Sequence, residues 1–275
     1  MRAGGTQRMQ TSSIIVGGQT VRYLAGGAAD SPRVLVLLHP FPVGTVTWQP
    51  QVDAFPDWRV LVPSLPGFDG SDLHGESTVD AFAAHVEAFL TTLGIARAVF
   101  GGLSMGGYVL LALWRRQRSL IEGMLLADTR GGADSADVRG ARQTMLDTLA
   151  AHGPGVIAED VIPKLLGETT RRERPDIAAL CRQRIESQPA DAIASAIRAM
   201  MTRPDARPSL SSIDVPTLVL VGEEDLLTPP SEAEQLQRGI PGAALVRIPA
   251  AGHLSSLENP KVFNEATGGF LRSIA

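Results

Sequence analysis

Five stretches of this chain are apolar at almost every position: Val34-Leu35-Val36-Leu37-Leu38, Arg59-Val60-Leu61-Val62, Ala98-Val99-Phe100, Gly123-Met124-Leu125-Leu126-Ala127 and Thr217-Leu218-Val219-Leu220-Val221. A strand with one wet face alternates apolar and polar residues. A continuous run instead describes a strand buried on both faces, as in a parallel sheet. Helical periods lie between the runs. Val79, Phe82, Val86, Phe89, Leu90 and Leu93 share one helical face, and Gly94 follows as a C-terminal stop. Val109, Leu110 and Leu113 continue a helix after Gly107, and two more helices are expected over 229–236 and 260–271. Pro260 opens the last, in a first turn where its missing N–H costs nothing. Near the start, Ile14-Ile15-Val16 and Thr20-Val21-Arg22-Tyr23-Leu24 flank Gly17-Gly18, the pattern of a hairpin whose turn needs positive φ. The reading is an α/β chain with a mostly parallel central sheet flanked by helices.

Residues 130–207 break the alternation. They hold no convincing strand but three helical stripes: Val138, Met145 and Leu149; Ile177, Leu180, Cys181, Arg184 and Ile185; Ile193, Ile197, Met200 and Met201. Pro154, Pro163, Pro175, Pro189 and Pro204 punctuate the segment. It is expected to be a helical insertion between core segments 1–129 and 208–275. A net charge of −4 gives no electrostatic footprint for nucleic acid. No apolar run is long enough to span a bilayer. The start, Met1 to Arg8, lacks a signal-peptide core. The single cysteine, Cys181, excludes an intramolecular disulfide and fits the cytoplasm.

Gly102-Leu103-Ser104-Met105-Gly106 matches G-x-S-x-G. With 28 glycines in the chain the match alone carries little, so its context decides. It falls between an expected strand and an expected helix, where a nucleophilic serine occupies a sharp bend and glycines let neighbouring backbone approach. No lysine follows, as a phosphate loop would require. A serine hydroxyl needs a base, and the base needs an orienting acid. Five histidines are available: His39, His74, His85, His152 and His253. His253 lies in a loop after the strand-like Ala244 to Ile248, at the carboxyl end of a strand where open α/β sheets place their sites. Asp225, in Gly222-Glu223-Glu224-Asp225, is the expected acid, with Glu223 and Glu224 read as solvated charges. Asp128 follows another buried strand and is a rival. His39-Pro40-Phe41-Pro42 follows the first long strand. Prolines cannot donate, so Phe41 is the natural backbone donor for an oxyanion there, together with the N–H of Met105.

These segments, with Leu65-Pro66-Gly67-Phe68-Asp69-Gly70-Ser71, Leu226-Leu227-Thr228-Pro229-Pro230 and Gly252-His253, resemble the α/β-hydrolase superfamily. Within it the chain is most similar to esterases and 3-oxoadipate enol-lactonases. Pro40 stands where that family usually has Gly, and Ser64 where Asp is frequent. The resemblance implies the α/β-hydrolase fold, with 130–207 as its helical cap. It also implies a two-step acyl transfer by Ser104, His253 and Asp225 on a small ester or lactone, with no metal or organic cofactor. Trp48, Phe41, Met105, Met200 and Met201 are candidate pocket walls, although each also reads as ordinary core packing. Arg130, Arg171, Arg172 and Arg174 are candidates to hold a substrate carboxylate, although the last three also read as a solvated helix edge. Three functions follow as expectations: a carboxylesterase, a lactonase of the enol-lactonase type, and a non-catalytic ligand-binding protein on the same fold.

Overall fold

The structure, a computed structural model, describes residues 10–274. The stretch Met1 to Arg8, read above for a leader, lies outside the described residues. The strands are β1 (Gln10–Val16), β2 (Gln19–Gly27), β3 (Val34–Leu38), β4 (Arg59–Pro63), β5 (Ala98–Leu103), β6 (Ile121–Ala127), β7 (Thr217–Gly222) and β8 (Ala244–Ile248). They form one sheet in the order β1-β2-β4-β3-β5-β6-β7-β8. The first two are antiparallel, and every pair from β4 to β8 is parallel. In register, Val36 lies between Leu61 and Phe100. Every residue of β3, β5 and β7 is buried, which is why those runs contain no polar alternation. The β1–β2 turn is Gly17-Gly18, with φ of 56° and 84°.

The helices are α1 (Gln49–Val52), α2 (Val79–Thr92), α3 (Met105–Gln117), α4 (Ala136–His152), α5 (Pro154–Leu165), α6 (Glu168–Glu173), α7 (Pro175–Glu186), α8 (Ala190–Thr202), α9 (Pro230–Gly239), α10 (Ser255–Glu258) and α11 (Pro260–Ser273). Local chemistry sets their ends. Thr78 caps α2 by accepting from the Ala81 N–H, and Asn259 caps α11 by accepting from Val262. Five helices, α4 to α8, occupy the stretch between β6 and β7. One expected break there is absent: Pro163 sits inside α5. It lies in the last turn, two residues before the helix ends. The lost donor therefore removes one hydrogen bond without stopping the helix. Among the described residues no helix is long and apolar enough to cross a membrane.

Three glycines seat α3 against the sheet. A Cβ on Gly102 would collide with the backbone of Gly106, and one on Gly106 with the carbonyl of Leu38 at the end of β3. A Cβ on Gly107 would meet the Thr129 side chain. The first turn of α3 is thus pressed between the carboxyl ends of β3 and β6. Replacing Gly106 with Ala is expected to cost about 1–3 kcal/mol by overpacking. Thermal unfolding should register this as a Tm lowered by several degrees. An unchanged Tm would show that the contact is slack.

Candidate active site

β5 ends at Leu103 and α3 begins at Met105, so Ser104 alone makes the turn. Its φ of 54° and ψ of −113° are unfavourable for an L-residue. Strain of this kind costs on the order of 1–3 kcal/mol and persists only where the surroundings impose it. Here the Ser104 N–H donates to the Ala127 carbonyl at 2.9 Å. The Ser104 carbonyl accepts from Gly107 N–H at 2.9 Å and from the Thr129 hydroxyl at 2.8 Å. The bend holds the side chain at the carboxyl edge of the sheet.

Two loops at the same edge reach Ser104. His253, five residues past β8, places Nε2 2.7 Å from Ser104 Oγ. Its Nδ1 lies 2.8 Å from Asp225 Oδ2, on the loop after β7. Asp225 also accepts from the Leu227 N–H (2.8 Å), the Thr228 N–H (3.0 Å) and the Thr228 hydroxyl (2.7 Å). All three side chains are buried. Burial pushes the Asp225 carboxyl up, but His253 and the Thr228 donors outweigh it and hold the group below the usual carboxylate range. Burial pulls the His253 ring down. Asp225, then Asp128 and Glu258, outweigh that and hold it above the ordinary imidazole value.

Asp128 is close but makes different bonds. It accepts from the Gly222 N–H at 2.8 Å and from the Ser255 N–H and hydroxyl, and no hydrogen bond joins it to His253. Burial and the neighbouring Asp225 push its carboxyl well above the usual range. His39 is also buried. It accepts from Leu65 N–H through Nε2, and its Nδ1 donates to the Pro40 carbonyl, fixing one neutral tautomer that braces the loop. In that loop Phe41 N–H makes no hydrogen bond among the described residues, and neither does Met105 N–H at the start of α3. The contact of Gly106 with Leu38 makes the two segments neighbours.

Ser104 and His253 open onto a cavity of about 730 Å³ lined by Phe41, Tyr108, Arg130, Met200 and Leu227, with the inward sides of α4 and α5 opposite. Val138 and Met145, part of the first stripe of the insertion, face this space, which is why Leu149 is the buried residue of α4. Three expected walls are elsewhere. Trp48 is wholly buried, donating from Nε1 to the Leu38 carbonyl at 2.9 Å and packing edge-on against Phe263. Its one polar atom found a partner in the core instead of at the cavity. The Met105 side chain points into the core, and Met201 packs half-buried against it. Arg172 and Arg174 pair with Glu173 and Asp176 at the surface, and Arg171 is exposed. Glu224, read as solvated, accepts from the Thr169 N–H at 2.8 Å and from its hydroxyl at 2.5 Å. The pattern of charges in its own loop contained no sign of that distant partner.

Of the cavity's polar wall the sequence points to Arg130 but not to the cluster that holds it. Asp134 is buried and holds three guanidiniums, those of Arg130 (2.9 Å), Arg142 (2.6 Å) and Arg203 (2.7 Å). Arg203 lies 4.1 Å over the Tyr108 ring. Arg130 and Arg142 line the cavity, and Arg130 Nε is buried with no partner among the described residues. Three cations around one carboxylate leave excess positive charge at the wall. Among the described residues no three His, Cys, Asp or Glu side chains gather as metal ligands.

The electrostatics predict a titration. The His253 ring should lose its proton above the free-imidazole pKa of about 6.5. Asp225→Asn removes the main group that raises it, so burial should then pull the pKa down. Nitrogen-15 NMR of the imidazole reads both. A ring that titrates at the same pH in the variant would contradict the pairing.

Comparison with known proteins gives the same architecture. A family model described as alpha/beta hydrolase fold matches residues 33–260. The chain is 28% identical over 258 residues to 3-oxoadipate enol-lactonase 1 of Acinetobacter baylyi, covering 94% of this chain and 95% of that protein. It superposes with a TM-score of 0.90 and 35% identity on a thermophilic esterase from Thermogutta terrifontis, over 96% and 99% of the two chains. For the enol-lactonase from Burkholderia xenovorans LB400 the TM-score is 0.87 at 28% identity, over 95% and 100%. With its eight-stranded sheet, its serine at the strand-to-helix bend and a family match that spans most of its length, the chain belongs to the alpha/beta hydrolase fold family.

Proposed function

We propose that the protein hydrolyses small carboxylic esters through a covalent acyl-enzyme on Ser104, with His253 as base and Asp225 as its orienting acid. The observation that carries this reading is the unbroken chain from Ser104 Oγ to His253 Nε2 (2.7 Å) and from His253 Nδ1 to Asp225 Oδ2 (2.8 Å). Asp225 holds the Nδ1–H tautomer, which leaves the Nε2 lone pair for the serine proton. Ser104 Oγ attacks the ester carbonyl carbon as His253 takes that proton. The N–H groups of Phe41 and Met105 stabilise the oxyanion, each worth about 3 kcal/mol in sites of this type. The protonated His253 then gives its proton to the departing alkoxide oxygen. A water, deprotonated by His253, attacks the acyl carbonyl and releases the acid and the serine. Residues 130–207 serve as a cap over a core of residues 1–129 and 208–275. A reducing compartment such as the cytoplasm suits a chain whose one thiol is buried and unbridged.

A second reading is favoured by one observation. Arg130 and Arg142 place cationic charge on the cavity wall. A substrate carboxylate in the cavity would pair with these guanidiniums, as in a lactonase acting on an anionic enol-lactone.

Kinetics separate the possibilities. Ser104→Ala should lower kcat on a short-chain aryl ester by about 10⁴-fold or more. Asp225→Asn should lower it by about 10³–10⁴-fold. Asp128→Asn leaves the Nδ1–Oδ2 bond in place and should cost far less. Because His253 must be neutral to accept a proton, kcat/KM should fall as pH drops through its raised pKa. If carboxylated enol-lactone is the better substrate, Arg130→Leu should raise its KM at least about tenfold, the scale of a lost charged hydrogen bond, and spare the neutral ester. Absence of turnover, unaltered by Ser104→Ala, would leave the ligand-binding reading.

A further inference from the structure

The insertion touches the base loop at a seam that the acyl-transfer scheme does not use. The junction of α5 and α6 lies against the loop carrying His253. Leu165, the last residue of α5, accepts the His253 N–H through its carbonyl at 2.9 Å. The next N–H, that of Leu254, donates to Glu258 Oε1 at 2.9 Å. The other oxygen of the same carboxylate, Oε2, accepts from the Gly167 N–H in the junction at 2.8 Å. Glu258 is buried, on α10. Two residues further on, in the first turn of α6, Thr169 is held by Glu224, whose own N–H donates to the Ala251 carbonyl at 2.9 Å. Gly167 and Gly252 are in such close contact that a Cβ on Gly252 would strike the Gly167 backbone.

We propose that Glu258 is a positioning residue for His253, and that it does this by clamping the base loop to the backbone of the helical insertion. The N–H on each side of the His253 α-carbon is spoken for by this seam: its own by Leu165, the following one by Glu258. A ring whose Nε2 must stay within hydrogen-bond reach of Ser104 depends on that backbone being fixed. The acceptor must be a carboxylate because both partners are buried donors. Its two oxygens satisfy both, whereas an amide satisfies one and turns its NH₂ toward the other. Leu165 also lines the cavity, so the element that contacts the substrate and the element that holds the base are the same backbone. The insertion is therefore part of the catalytic scaffold as well as a wall of the pocket.

The proposal rests on the acyl-transfer reading, and its test keeps the two apart. The rate of Ser104 labelling by a small fluorophosphonate is measured in the wild type, Glu258→Gln and Gly167→Ala, with NMR titration of His253 alongside. Three carboxylates favour the charged form of that ring: Asp225 after β7, which it contacts, and Asp128 after β6 and Glu258 on α10 through their charge. Glu258→Gln removes one of these charges. Labelling should slow at least tenfold, the His253 titration should move to lower pH, and kcat on an aryl ester should fall with KM within twofold. Gly167→Ala keeps the charge but wedges a Cβ against Glu224 and the Gly252 N–H. Its labelling should slow at least threefold with the His253 titration unmoved. Wild-type labelling in Glu258→Gln with an unshifted titration overturns the proposal, as does wild-type labelling in folded Gly167→Ala if Glu258→Gln does not fold. A wild-type protein that does not label at all overturns the acyl-transfer reading itself.

Discussion

The conformation of one residue organises this molecule. Ser104 must bend the chain from β5 into α3 within a single peptide unit, in a region of φ and ψ that costs free energy. The bend survives because the packing around it leaves no alternative. Gly102 and Gly106 let three backbones meet where any side chain would collide, and Gly107 leaves room for the Thr129 side chain. Those contacts put the first turn of α3, which begins at Met105, beside the end of β3, the strand that leads to Phe41. The sheet supplies the rest of the constraint. Because β3, β5, β6, β7 and β8 run parallel, their carboxyl ends share one edge, and loops distant in sequence converge on Ser104.

Carboxylates hold that convergence in place. Asp225 fixes the imidazole, and Asp128 ties the end of β7 to Ser255 just past His253. Glu224 and Glu258 reach across to the insertion. On the other side Asp69 accepts from Thr45 in the core and from Arg184 and Gln188 on and just past α7. Each accepts backbone N–H groups or side-chain donors that would otherwise be buried without partners, a situation worth about 1–3 kcal/mol per group to avoid. The helices between β6 and β7 are thus joined to the rest of the molecule by directional bonds.

Much of the fold could be read from the sequence because it rests on short-range pattern. Strands buried on both faces must be apolar throughout, so the five runs stood out, and Gly17-Gly18 marked the hairpin. Ser104 was legible because a strand-to-helix bend leaves glycines at fixed offsets. What escaped was set by distant partners. Nothing near Glu224 points to Thr169, 55 residues away, and nothing near Asp134 points to Arg203. Trp48 looked like a pocket wall because its indole could equally face a cavity or the core, and only the Leu38 carbonyl decides. Pro163 looked like a break because its place in the last turn of α5 depends on where that helix ends.

The central claim is that an acyl group passes through Ser104, and acid-quenched turnover tests it directly. An aryl ester is mixed with the protein, quenched within the first turnovers and mapped by peptide mass. The account predicts one acyl group on the peptide containing Ser104 and none in the Ser104→Ala protein, whose turnover is lost. Ester turnover that persists without Ser104, or an acyl group carried on another residue, would contradict it.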